Sequence, residues 1–275
     1  MHRAIVLTLL FAIQSWSAAY GWGDEGHRIT GYIADELLTA TARAELRKIG
    51  DDDLAQIATW LDDQRDALEQ RYRGSSRWHY ENRPACGSSS GGSSTCPRGQ
   101  CITRQIERSL AVLDDRQAGR AQRVEALRIL VHLLGDLHQP LHLADNGDRG
   151  GNDTYVLLPN DGRPRRLHEA WDTRFLRMNL RRRDEQAYAH SLLTAHRSER
   201  TAWKNGDIAA WAMESYTIGT RHAYDLLPGF ACGRHDSAPI RLPSSYIEQA
   251  REDVDVQLVK AGVRIAEILN RALDR

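Results

Sequence analysis

Ile129-Leu-Val-His132-Leu-Leu-Gly-Asp136-Leu-His-Gln-Pro-Leu-His142 is the stretch on which the architecture turns. Its first half continues an apolar run that begins at Glu125. Apolar residues fall on more than one helical face between Glu125 and Leu137, which predicts a buried central helix. His132 and Asp136 interrupt that run four residues apart, so both side chains leave the same face. A buried ionisable pair is costly unless something compensates it. A bound metal ion would do so, and so would a hydrogen-bonded polar pair within the core; the pair by itself leaves both open. Pro140 removes a backbone donor and should end the helix, which leaves His142 just past the end and free to turn toward the same cavity. His138 reads as a structural histidine.

Working outward, most of the chain is expected to be helical. Glu25 to Leu38, Asp51 to Leu68, Glu185 to Arg200, Asp207 to Leu226 and Ile247 to Leu273 all carry helical periodicity. In the last of these Val254, Leu258, Ala261, Ile265 and Ile268 form one stripe. Non-helical stretches are few. Gly87 to Thr95 is a Gly/Ser-rich loop without the lysine of a phosphate-binding loop. Gly147 to Arg166 holds a short apolar run, Tyr155 to Leu158, that suits a small hairpin or an extended loop.

The chain has 275 residues, 37 basic and 37 acidic, so it carries no net charge with histidine neutral. Bulk positive charge of the kind that holds nucleic acid non-specifically is therefore excluded, whereas a local phosphate-gripping site is not. Residues 1–21 read as a secretory signal: His2 and Arg3, an apolar run from Ala4 to Ile13, and small residues at Ala19 and Gly21. The run is too short to span a bilayer. Cleavage after Gly21 leaves residues 22–275 as one large domain, expected to be secreted or periplasmic, without stable membrane association, and a monomer. Cys86, Cys96, Cys101 and Cys232 suit an oxidising compartment. Three pairings are possible, with Cys96–Cys101 and Cys86–Cys232 favoured. A zinc site made of these cysteines is weak, because no Cys-x-x-Cys spacing occurs.

A second four-residue pair, His168 and Asp172, lies in Leu167-His-Glu-Ala-Trp-Asp172, and imidazole and carboxylate are both good zinc ligands. Asp62 in Trp60-Leu-Asp62, His79 in Trp78-His-Tyr-Glu-Asn82, and His27 five residues after Trp22 are further candidates, unremarkable one at a time.

Their combination resembles the S1/P1 nucleases. Trp22-Gly-Asp-Glu-Gly-His27, Trp60-Leu-Asp62, His79-Tyr80, the block from His132 to His142, Gly150-Gly-Asn152 and Leu167 to Asp172 occur in the family's order. The resemblance implies a mainly α, single-domain fold of the phospholipase C/P1 nuclease kind and three zinc ions per chain. Asp62, His79, His132 and Asp136 would hold the first, and His142, His168 and Asp172 the second. The α-amine and carbonyl of Trp22, with His27 and Asp136, would hold the third, so that Asp136 bridges two metals. A zinc-activated water would then hydrolyse single-stranded RNA and DNA to 5′-phosphorylated products and release phosphate from 3′-nucleotides. Arg65 would face the phosphate; Tyr80 and Asn82 would form a base pocket, with Asn152 near the phosphate. Asn152-Asp-Thr154 is formally a glycosylation sequon, a doubtful reading beside the site. A phospholipase C-like zinc phosphodiesterase and a secreted zinc-binding protein without catalysis are the rival readings.

Overall fold

The computed structural model describes residues 21–87, 96–159, 161–234 and 238–274. The signal expected over residues 1–21 therefore lies outside the described residues except for Gly21, and so does most of the Gly/Ser-rich loop, residues 88–95. In chain order, α1 (Asp24–Leu37) and α2 (Ala40–Ile49) precede three short helices, α3 (Leu54–Ile57), α4 (Trp60–Asp63) and α5 (Arg65–Arg71). The long pair α6 (Ile102–Asp114) and α7 (Arg120–Asp136) follows. Then come α8 (Leu167–Glu169), α9 (Phe175–Leu180), α10 (Glu185–Ala195), α11 (Arg200–Trp203), α12 (Ile208–Ile218) and the 30-residue α13 (Ser244–Leu273). The protein is mainly α, as the sequence predicts.

The central block behaves as expected. Every residue of α7 from Ile129 to Asp136 is buried, the two ionisable ones included. Two hydrophobic clusters build the interior. One joins Ile29 and Ile33 of α1 to Phe175, Leu176, Tyr188, Val254 and Leu258. The other joins Leu46, Ile106, Leu130 and Leu134 to Ile265 and Leu269. α13 thus contributes its N-terminal half to one cluster and its C-terminal half to the other, so it is an internal strut. Two glycines allow the helices to approach this closely. A Cβ on Gly31 would collide with the backbone of Ala55, and one on Gly262 with Ile33.

The expected continuous helix from Asp51 to Leu68 does not form. The chain leaves helical bonding at Ala58–Thr59 and again at Gln64, producing α3, α4 and α5. The reason is tertiary: the Ala58 carbonyl is used by a side chain of α7. The helices α2 and α6 carry no separate expectation from the sequence, and the helix expected from Asp207 to Leu226 passes from α12 into a π-helical turn at Gly219–Tyr224.

Strand structure is slight. β1 (Arg83–Pro84) pairs in parallel with β2 (Ala144–Asp145). β3 (Tyr155–Leu157) pairs antiparallel with β4 (Arg165–Arg166), the expected small hairpin, and β5 (Ile240–Arg241) joins it in parallel. Both favoured disulfides form. Cys96–Cys101 closes a short loop, and Cys86–Cys232 spans 146 residues with a Cα–Cα distance of 5.6 Å. Closing so long a loop stabilises by about 5 kcal/mol in the chain-entropy account. Among the described residues no helix is long and apolar enough to cross a membrane.

Candidate metal centre

His132 and Asp136 are completely buried, with His132 Nε2 3.1 Å from Asp136 Oδ2. The other nitrogen of His132 donates to the Ala58 carbonyl at 2.7 Å; an oxygen that only accepts makes Nδ1 the protonated nitrogen. Nε2 is thereby left as a lone-pair donor facing the cavity. The same device recurs twice. His142 Nδ1 donates to the His79 carbonyl at 2.6 Å, and His168 Nδ1 to the Gly150 carbonyl at 2.6 Å. Fixing one ring nitrogen on a carbonyl selects the tautomer and aims the other nitrogen, as second-layer partners of metal-bound histidines do. His79 is turned the opposite way: its Nδ1 lies 2.9 Å from Asp136 Oδ2, 3.7 Å from Asp62 Oδ1 and 3.2 Å from His132 Nε2.

His27, from α1, stacks on His132 with ring centroids 3.9 Å apart and brings Nε2 within 3.3 Å of Asp136 Oδ1. Trp22 is buried just before α1, its indole donating to the Gly135 carbonyl at 3.0 Å. Gly21 sits against the Asp136 carboxylate, where a side chain would collide with it. His142 and His168 stack at 5.2 Å, and His168 Nε2 lies 3.5 Å from Asp172 Oδ2. Asp172 is set in a π-helical turn, Ala170–Arg174, a widened turn frequent at functional positions.

Three groups have ligand atoms close enough to share an ion: His27 with Asp62 and His132, His79 with His132 and Asp136, and His142 with His168 and Asp172. All eight side chains expected as ligands are therefore brought together, with the buried Trp22 beside them. The first group pairs His27 with Asp62 and His132, whereas the sequence reading placed it with Trp22 and Asp136; its 3.3 Å approach to Asp136 serves both arrangements.

Whether the cluster suits metal can be judged from its orphaned atoms. Both nitrogens of His27, Asp62 Oδ1 and Asp136 Oδ1 are buried without a hydrogen bond among the described residues. Such groups are costly to bury, and few occur in a native interior without an ion or water to receive them. The electrostatics agree. Burial disfavours the Asp136 carboxylate, yet His132 and His142 hold its pKa well below the usual range. Burial likewise disfavours the charge on His132, but Asp136 and Asp62 raise it to about 9. Burial lowers His27, and lowers His142 to about 3. Without a cation, the charge on Asp136 is balanced chiefly by a protonated His132. A divalent cation fits this donor set of imidazole and carboxylate.

The remaining candidates lie close in sequence to these ligands. Arg65 opens α5 directly after α4, which carries Asp62. Tyr80 is half-buried, and its carbonyl accepts from the Ile102 amide at 3.2 Å. Asn82 donates to Asp145 Oδ2 at 3.2 Å and lines a cavity of about 430 Å³ with Asp145, Asn146 and Gly147. Asn152 is 7 % exposed, and its Nδ2 donates to the Arg149 carbonyl at 2.9 Å, which leaves the sequon nitrogen engaged. His138 is structural: Nδ1 donates to the Leu134 carbonyl at 2.7 Å, and Nε2 faces Arg264 Nη1 at 2.9 Å.

One residue escaped the sequence reading. Gln139 is fully buried and donates through Nε2 to Asp172 Oδ1, while its Oε1 accepts from the Leu141 amide at 2.6 Å. Its position inside the His132–His142 block was the available signal.

The comparisons with known proteins agree with this geometry. A family model described as S1/P1 nuclease matches residues 22–274. The protein named endonuclease 4 of Arabidopsis thaliana is 27 % identical over 98 % of this chain and 93 % of its own length. Nuclease P1 of Penicillium citrinum is 27 % identical over 90 % and 97 %. Nuclease S1 of Aspergillus oryzae is 32 % identical over 56 % of this chain and 54 % of its own. The match runs through every element that supplies the cluster, from Trp22 to the C-terminal helix, and the chain belongs to the S1/P1 nuclease family as a hydrolytic endonuclease.

Proposed function

We propose that the mature chain, beginning at Trp22, is a secreted or periplasmic nuclease of single-stranded RNA and DNA. It leaves 5′-phosphorylated products, releases phosphate from 3′-nucleotides and depends on three zinc ions. The observation that carries this reading is the set of buried, unsatisfied ligand atoms on His27, Asp62 and Asp136, gathered from three separate parts of the chain. When bound, clustered zinc lowers the pKa of water and offsets negative charge at phosphorus.

The chain's own residues do the rest. Asp62, His79, His132 and Asp136 would hold the first ion; His142, His168 and Asp172 would hold the second. His27 and the Trp22 terminus, with Asp136, would hold the third. The α-amine of Trp22 exists only after residues 1–21 are removed, so ion binding there is coupled to processing. Arg65 supplies a guanidinium for two charge-assisted bonds to phosphate oxygens. Tyr80 and Asn82 receive a base, and Asn152 lies by the phosphate. A base must leave the duplex to stack on an aromatic face, which accounts for a preference for single strands. Specificity is local, since the chain has no net charge to attract a polyanion as a whole.

The test is to incubate mature protein with single-stranded and duplex substrates and with phosphatidylcholine, with and without chelator, alongside a metal count. Chelator-sensitive cleavage of single strands with three zinc ions per chain supports the reading. Chelator-resistant cleavage, or hydrolysis of the phospholipid alone, overturns it.

A further inference from the structure

A second cavity, also of about 430 Å³, opens between the end of α5, α6 and α7, and none of the nine proposed ligands lines it. Its wall is aromatic and apolar: Tyr72 and Trp78, with ring centroids 5.5 Å apart, face Val112 and Ile129. Arg73 and Arg108 stand at its rim, exposed and outside any ion pair among the described residues. Its acid, Glu125, is already engaged, by Arg71 and by the Tyr72 hydroxyl at 3.0 Å. Arg71 also covers one face of the Tyr72 ring at 4.5 Å. Tyr72 is nonetheless 41 % exposed, an unusual position for a large ring in this protein.

Two connections tie this cavity to the metal centre. Trp78 immediately precedes His79. Tyr72 follows the seven-residue α5, whose first residue is Arg65, so the two lie about 10 Å apart along the helix. That is about three stacked-nucleotide rises.

We propose that this cavity is a second nucleotide subsite. It takes one base of a single-stranded substrate against Tyr72 and Trp78 and the adjoining phosphates on Arg73 and Arg108. Stacking binds any base; Gln105, whose Nε2 donates to the Gly99 carbonyl, and Gln122, whose Oε1 accepts from the Gly119 amide, line the cavity without demanding one base. An aromatic face beside uncompensated cations matches a base next to its phosphates, and the distance from Arg65 matches the spacing along one strand. The proposal rests on the nuclease reading and extends it along the substrate.

The test compares the zinc-loaded mature protein with Tyr72→Ala, Tyr72→Phe and the Arg73→Ala/Arg108→Ala double variant. The substrates are a dinucleotide and an oligonucleotide of about ten residues, a length within the span of one binding groove. In the wild type, KM should fall by about tenfold from the short to the long substrate, the effect of one base stacked. Tyr72→Ala should abolish most of that gain, Tyr72→Phe should keep it, and the double arginine variant should lower it and flatten its salt dependence. A wild type without a length gain, or a Tyr72→Ala protein that melts like the wild type and keeps the full gain, overturns the subsite alone. Failure of the zinc-loaded wild type to cleave either substrate overturns the nuclease reading and the subsite with it.

Discussion

Gln139 donates its amide to Asp172 across 33 residues of chain, and both side chains are buried. The contact ties the loop after α7 to the π-helical turn that carries Asp172, and so holds His142 and Asp172 in one group. Removing such a partner weakens metal affinity by about 10- to 100-fold in comparable sites. Gln139→Ala should therefore lose zinc to a competing chelator about that much more readily, with folding intact. A competition titration followed by circular dichroism measures both; unchanged zinc affinity would show that Asp172 is held by other means.

Gly21 lies where any side chain would strike the Asp136 carboxylate. A protein with one alanine left before Trp22 should bind one zinc fewer than the mature form, because it lacks the free amine and crowds the bridging carboxylate. Metal analysis of the two forms side by side checks this. Equal metal content and equal activity would remove Trp22 from the ligand set.

Arg65 is expected to act on substrate and not on metal. Arg65→Ala should lower kcat on single-stranded DNA by about 10²- to 10³-fold, the usual cost of losing one donor to a developing negative charge. Zinc content should stay at the wild-type level. Loss of zinc instead would assign Arg65 a structural task.

Asp35 supplies a prediction away from the centre. Burial raises its pKa to about 7, against the pull of Arg43, whose Nη1 lies 3.8 Å away. The folded state therefore prefers the protonated acid. Its contribution to stability is complete below the unfolded value of 3.8 and is lost as pH rises through about 7. Asp35→Asn removes this penalty. Above about pH 7 the variant should be more stable on the order of 1 kcal/mol, roughly 2–4 °C in melting temperature, with the difference shrinking toward acid. Melting curves of both metal-loaded proteins at several pH values would sink the idea if the two stayed parallel.

Much of the centre was legible in the sequence because helical spacing is a local property. His132 with Asp136 and His168 with Asp172 need only a helix to share a face, and the apolar residues around His132 announced its burial. The break at Ala58–Thr59 was not legible. Nothing in Asp51 to Leu68 forbids a continuous helix, and the Ala58 carbonyl is withdrawn from it by a histidine 74 residues later. Gln139 was hidden for the same reason, since a buried amide beside a proline declares no partner.

By itself, then, the chain pointed to a helical fold, to the absence of net charge, and to two candidate ligand pairs at helical spacing, the remaining candidate ligands coming from the order of motifs it shares with the family. The first three follow from residue type, periodicity and composition. Tertiary structure decided how the ligands are grouped, which nitrogen of each histidine is presented, and that Tyr72 and Trp78 share a wall. Those facts depend on which carbonyl or ring is brought within a few ångströms by the packing of distant helices, and no local pattern carries that distance.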